Sequence, residues 1–188
     1  MIMDVYDKIP MLESDKFLLR EIKEDTDTED LLKVYSDKKA VPLFNSDNCG
    51  NGFYYVSIKE MKAAIEFWEN EYQKRYYVRW AVVDKKRNQA VGTIELFNRK
   101  ANDYFNNCGL LRLDLSSDYE KQDDIADILS IIVPKTKELF ACDKLATKAI
   151  SIAKERIKAL EFAGFRLSGE YLIGHDGTKY DSYYVREV

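Results

Sequence analysis

The stretch "LRLDLSSDYEKQDDIADIL", residues 111–129, decides the fold. Its first half alternates Leu111, Leu113 and Leu115 against Arg112 and Asp114, the two-residue period of a strand with one face in a core. Beyond a polar turn, Ile125, Ile128, Leu129, Ile132 and Val133 recur at helical spacing. A strand that passes through a short turn into an amphipathic helix offers that helix's unpaired N–H groups and positive dipole end to an anion. Here two adjacent acids, Asp123 and Asp124, stand at that doorway. As N-capping residues they would support the helix by about 1 kcal/mol, with Asp127 completing an acid-rich first turn. The same carboxylates would oppose a bound anion. Each like-charge pair about 4 Å apart costs up to about 4 kcal/mol at an effective dielectric of about 20.

Working outward, "KFLLREI" (16–22) predicts a strand and "DTDTEDLLKVYSD" (25–37) a helix, followed by a long ordered loop over 38–55 that holds Pro42, Gly50 and Gly52. Ser57 and Glu60 form a capping box, and Ile58, Met61, Ile65 and Trp68 give the helix over 57–73 its apolar stripe. Two β-rich runs, 76–84 and 90–97, read as a hairpin around "KKRNQ". Pro134 interrupts a helical pattern that continues to Phe140, which predicts a kink. A strand at 144–151, a helix at 153–163 closed by Gly164, and a terminal hairpin turned by "GHDGT" complete the order. The whole reads as one α+β domain over 1–188, with 1–11 as an N-terminal extension.

The chain of 188 residues is long enough to bury roughly 70% of its unfolded surface. With 46% hydrophobic and 33% charged residues it is too apolar for disorder. A net charge of −4 leaves no basic excess to neutralise a nucleic acid, so none is expected as a partner. Cys49, Cys108 and Cys142 show no Cys-x-x-Cys spacing and lie far from His175, the lone histidine, so neither a disulfide framework nor a metal is expected. "MIMDVYDKIPML" lacks the basic start of a signal peptide, and no run approaches the roughly 18 apolar residues of a membrane span. The expected setting is the cytoplasm, without membrane contact.

The segment "AKERIKALEFAGFRLSGEYLIGHDGTKYDSYYV" (153–185) resembles the end of the GNAT N-acetyltransferase superfamily, in particular the subgroup that acetylates ribosomal-protein N-termini and small amines. Gly164, Phe165, Gly169, Asp176, Gly177 and Asp181 fall at matching positions. "FLLREI", "AVGTIELF" and "LRLDLSSDYEKQDDIADIL" resemble the family's first strand, third strand, and fourth strand with its cofactor turn and third helix. The likeness in order and spacing covers residues 12–186. It implies a mixed, mostly antiparallel sheet of about six to seven strands, splayed between the fourth and fifth and flanked by about four helices. It further implies acetyl-CoA as co-substrate, with pantetheine on the strand at Leu113 and Leu115 and pyrophosphate on the turn at Lys121, Gln122, Asp123, Asp124 and Ile125. Lys121 and Asp123 stand where the family's turn glycines fall, Ala153 at its helix-opening Asn, Leu160 at its proton-donating Tyr, and Leu110 near its strand glutamate.

Two functions follow from these readings. One is acetyl transfer from acetyl-CoA to a primary amine, by direct attack within a ternary complex. Glu95 would act as general base if partial burial raises its pKa, and Asp114 is a second candidate; the alternative for each is a solvated strand carboxylate. The other is a GNAT-fold binding or regulatory protein that has lost catalysis. The partner expected is an amine acceptor, with a homodimer left open. The aromatic run "NGFYYV" (51–56) is either an acceptor wall or core packing. Cys108 lacks a neighbouring base for a nucleophile, and His175 reads as an exposed turn residue.

Overall fold

Three long strands whose alternate residues are apolar can bury one face against an amphipathic helix, while polar residues on the other face meet a second pair of helices. A computed structural model describes residues 4–50 and 52–188. Its elements in chain order begin with β1 (Leu12–Glu13), β2 (Phe17–Glu21), α1 (Glu24–Tyr35), α2 (Ile58–Gln73), β3 (Val78–Asp84), β4 (Gln89–Arg99) and β5 (Cys108–Leu115). There follow α3 (Gln122–Ile132), α4 (Thr136–Phe140), β6 (Lys144–Lys148), α5 (Lys154–Phe162), β7 (Arg166–Leu167), β8 (Leu172–Ile173), β9 (Lys179–Tyr180) and β10 (Tyr183–Glu187). Residues 1–3 of the N-terminal extension, and Asn51 in the aromatic run, lie outside the described residues.

The main sheet has eight strands in the order β1-β2-β3-β4-β5-β6-β10-β7, and β8 with β9 forms a separate two-stranded pair. Every neighbouring pair is antiparallel except β5 with β6. The strand count exceeds the six to seven implied by the resemblance because β1 and β7, two residues each, are too short to show alternation in sequence. The single terminal hairpin expected from sequence is instead divided. Ser182, at φ 66°, turns the chain out of β9, so that β10 pairs with β6 and β7 inside the main sheet.

The α3 and α5 face is the larger core. Trp80, Ile94, Leu111, Leu113 and Leu115 meet Ile125, Ile128, Leu129, Ile132 and Leu160 there. The indole N–H of the fully buried Trp80 donates to the Pro10 carbonyl at 2.9 Å, which fixes the N-terminal extension across the sheet. On the other face Leu31, Val34 and Tyr35 of α1 pack with Met61, Ile65 and Trp68 of α2. α2 starts at the expected capping box: Ser57 Oγ accepts from Glu60 N–H, and Glu60 accepts from the Ser57 N–H. Pro134 stands in a 3-10 turn, 133–135, that separates α3 from α4. Gly164, at φ 87°, ends α5, and Phe165 N–H reaches back to the Leu160 carbonyl at 2.9 Å. Among the described residues no helix is long and apolar enough to cross a membrane.

Candidate functional site

Parallel pairing of β5 with β6 runs from Cys108↔Lys144 to Leu111↔Thr147 and then stops, while β5 continues to Leu115. The two strands part there in a V. A Cβ on Gly92 would lie 2.1 Å from the Asp114 carbonyl oxygen, and Ser116 N–H donates to the Val91 carbonyl at 3.0 Å. The backbone groups of Asp114 and Ser116 therefore face β4. By strand alternation those of Leu113 and Leu115 face the opposite edge, which has no strand beside it.

Strand registry assembles a buried polar cluster on the α1/α2 face of the sheet. Arg79, Glu95 and Arg112 are cross-strand neighbours, and Thr93 stands opposite Asp114. Arg79 donates to one Glu95 carboxylate oxygen and Arg112 to the other, the latter at 2.9 Å. Burial alone would raise the Glu95 carboxyl, but the two guanidinium charges outweigh it and hold the pKa below the usual carboxylate range. The raised value anticipated for a general base is not found. Asp114 Oδ2 accepts from the Tyr35 hydroxyl at 2.8 Å and from Arg79 at 3.4 Å, while its Oδ1 is buried and has no partner among the described residues. Burial pushes Asp114 up, with Arg79 and Tyr35 opposing. Neither carboxylate is solvated: each is 1% exposed.

The first residues beyond the last β5–β6 pair, Arg112 and Lys148, both grip Asp47. Arg112 Nη2 donates to the Asp47 carbonyl at 2.8 Å, and Lys148 Nζ reaches both carboxylate oxygens at 2.8 Å. The Tyr183 hydroxyl adds a third contact to that carboxylate at 2.9 Å. The loop after α1 is thereby fastened across the vertex of the V. Beside it opens a pocket of about 1370 Å³, with Glu95, Arg112 and Tyr183 in its lining and walls from Phe53, Tyr55, Trp68 and Tyr77. At its edge stand Tyr54, Phe67 and Tyr76, which are exposed. In the described part of the "NGFYYV" run, Phe53 packs in the α1/α2 core and, with Tyr54 and Tyr55, lines the pocket.

At the turn into α3 the expected cap is absent. Lys121 is the N-cap residue and no side chain caps the helix, so Asp123 and Asp124 fall inside the first turn. Asp124 pairs instead with Lys16, and Asp127 accepts from the Ser14 hydroxyl at 2.8 Å, so both acids tie α3 to the segment before β2. Several of the turn's amides are engaged elsewhere, while those of Lys121, Asp123 and Asp124 have no acceptor among the described residues. Ser117 N–H donates to Asp37 Oδ2 at 2.8 Å, and Gln122 N–H to Glu155 Oε2 at 3.2 Å. Tyr119 and Glu120 N–H close a 3-10 turn on the carbonyls of Ser116 and Ser117. Glu120 forms a buried ion pair with Arg156 of α5.

No family model matches the sequence and no curated protein matches it. Solved structures do match. An acetyltransferase (GNAT family) from Bacillus anthracis superposes with a TM-score of 0.68 over 95% of this chain and 98% of its own, at 13% identity. The chain has the GNAT acetyltransferase fold. The ribosomal-protein-S5-alanine acetyltransferase from Vibrio fischeri gives a TM-score of 0.65 at 14% identity, covering 95% of this chain and 96% of that one. The microcin C7 self immunity acetyltransferase MccE, solved in complex with acetyl-CoA and AMP, gives 0.68 at 15% identity, covering 93% and 94%.

Against the acetyl-CoA pose that the GNAT resemblance implies, the chain fits in part. The open edge at Leu113 and Leu115 suits a pantetheine arm, which needs only backbone donors and acceptors. The turn does not suit a pyrophosphate, because Gln122 N–H, one of its amides, is occupied by a carboxylate. Lys121 is exposed, and Asp123 and Asp124 add negative charge. Ala153 and Leu160 are both buried, Leu160 in the α3/α5 core. The Cys108 thiol is pushed up to about 12 by burial, which removes it as a nucleophile. His175 is exposed, as expected, yet lines the edge of the pocket. Sequence reading missed Asp47, Lys148 and Tyr183. Asp47 lies 101 and 136 positions from those partners, and no local pattern links them.

Proposed function

We propose that the chain is an N-acetyltransferase that moves an acetyl group from acetyl-CoA to a primary amine, either a protein N-terminus or a small amine, held in the aromatic pocket. The observation that carries this reading is the meeting of two surfaces at Arg112: the unpaired edge of β5 begins there, and the acceptor pocket has Arg112 in its lining. A thioester lying on the edge would bring its carbonyl to the vertex where an amine from the pocket can attack. The attack forms a C–N bond, breaks the C–S bond and moves one proton from nitrogen to sulfur through water at the open mouth.

Under this reading the chain acts chiefly by positioning. Glu95, ionised and doubly bonded, holds Arg79 and Arg112, and Arg112 with Lys148 holds the Asp47 loop over the vertex. We assign Glu95 and Asp114 this holding role in place of proton abstraction, so turnover should follow the ionisation of the acceptor amine itself. A second reading, a GNAT-fold binding protein without catalysis, is favoured by the engaged amides of the turn. Calorimetry with acetyl-CoA, followed by thiol release in the presence of an amine panel, separates the two. Binding with acceptor-dependent thiol release supports transfer. No heat at millimolar acetyl-CoA, or binding without release for any amine, supports the second reading.

A further inference from the structure

We infer that the thioester donor is recognised through its pantetheine arm and acetyl group alone, the nucleotide and its phosphates adding nothing to affinity. The inference rests on the proposed transfer reaction and concerns which part of the donor the chain reads. Three observations lead to it.

The edge that would receive the arm is open and made of backbone: Leu113 and Leu115 have no strand on that side. Where the arm would leave the V and the phosphates would begin, the chain has engaged part of the turn with its own groups. Glu155 takes the Gln122 amide, Asp37 takes the Ser117 amide, and the Glu120–Arg156 pair, 8% and 3% exposed, bridges the turn to α5. A phosphate docking on the Ser117 or Gln122 amide would have to displace a carboxylate, and the amides left open, those of Asp123 and Asp124, belong to residues that are themselves acidic.

The charge around the turn has the same sense. Between Ser116 and Asp127, Glu120 is paired with Arg156 and Asp124 with Lys16, which leaves the acids Asp118, Asp123 and Asp127 and one base, Lys121. The other cations nearby gather in one place. Lys16, Lys86, Arg87 and Lys121 line a cavity of about 480 Å³ together with Asp84, Asp118 and Asp124. Its walls come from the segment before β2, the β3–β4 turn and the β5–α3 turn. Lys16, Lys86 and Arg87 belong to the ends of β2, β3 and β4, which lie across β5 from β6.

The test is a series of donors that share one thioester: S-acetylpantetheine, S-acetyl-4′-phosphopantetheine and acetyl-CoA, each titrated calorimetrically into the full chain at low and high salt. Affinity is expected to stay level within about threefold, or to fall, as phosphates are added. Acetyl-CoA binding should hold or strengthen as salt rises from about 0.05 M to about 0.5 M, because screening relieves repulsion. A gain of about tenfold or more from S-acetylpantetheine to acetyl-CoA would overturn the inference. So would loss of acetyl-CoA binding with salt, the mark of phosphates held by cations. If none of the three binds at millimolar concentration, the transfer reading fails and this inference fails with it. A Lys86→Ala, Arg87→Ala variant adds a further arm: weaker acetyl-CoA binding at unchanged S-acetylpantetheine binding would place the nucleotide in the basic cavity and overturn the inference.

Discussion

Glu95 shows how one buried residue can look catalytic in sequence and serve as a brace in the fold. Both its oxygens are committed to guanidinium groups, so Glu95→Gln removes the counter-charge of Arg112 and one of the two carboxylates that face Arg79. Breaking a buried pair in this way should cost about 3 kcal/mol or more, read as a lower midpoint in chemical denaturation. A free general base would behave otherwise, losing turnover with its stability intact. Asp114 acts in the opposite sense on pH. Glu95, held below the ordinary range, contributes stability that is present above the unfolded carboxylate pKa and lost as pH falls through its own lowered value. Asp114, pushed up by burial, favours the fold while protonated, and that contribution is lost as pH rises through its raised value. Asp114→Asn removes this loss. The stability of the variant relative to the parent should therefore climb with pH from the ordinary carboxylate range upward; a flat or falling difference would contradict the assignment. Sequence alone exposed Glu95 and Asp114 as acids in otherwise apolar strands. It could not reveal that Arg79, from a strand 16 residues away, and Arg112 would together saturate Glu95.

The elements follow local chemistry where that chemistry is complete. The capping box at Ser57 begins α2 as its sequence implies, and Ser57→Ala should cost about 1 kcal/mol, measured as a shift in the denaturation midpoint. Pro134 divides the helix where its missing N–H requires. Readings failed where partners lie far along the chain. Asp123 and Asp124 have capping chemistry, but Lys16 and the Ser14 segment draw the first turn of α3 onto the sheet, and Asp124 is spent in an ion pair. The short strands β1 and β7 exist only because longer neighbours offer them hydrogen bonds. The clasp between α5 and the β5–α3 turn belongs to this second group. Glu120→Gln, which strands a buried arginine, should lose about 3 kcal/mol. Glu120→Leu with Arg156→Leu together should recover most of that loss, because no charge is left behind. If the single change is neutral in thermal unfolding, the pair is not the bridge that the geometry describes.

At the scale of the whole molecule, the GNAT fold was legible because its order of strands and helices, the strand-turn-helix at 111–129 and the Gly-Phe helix end each leave a local mark. The site was legible in outline only. The open edge at Leu113 and Leu115 follows from the fold, and the aromatic wall from a run of adjacent residues. The vertex did not, because the loop at Asp47 meets β5, β6 and β10 only after the chain has closed. Under the proposed function these parts divide the labour: a backbone edge for a thioester arm, an aromatic pocket for an amine, and a turn whose Ser117 and Gln122 amides are held by the chain's own carboxylates. The direct test is backbone amide NMR of the full chain titrated with acetyl-CoA. The account expects the Leu113 and Leu115 amides to shift and saturate together while those of Ser117 and Gln122 stay fixed. Saturable shifts at Ser117 and Gln122 with Leu113 and Leu115 unmoved, or no shift at any of the four, would contradict it.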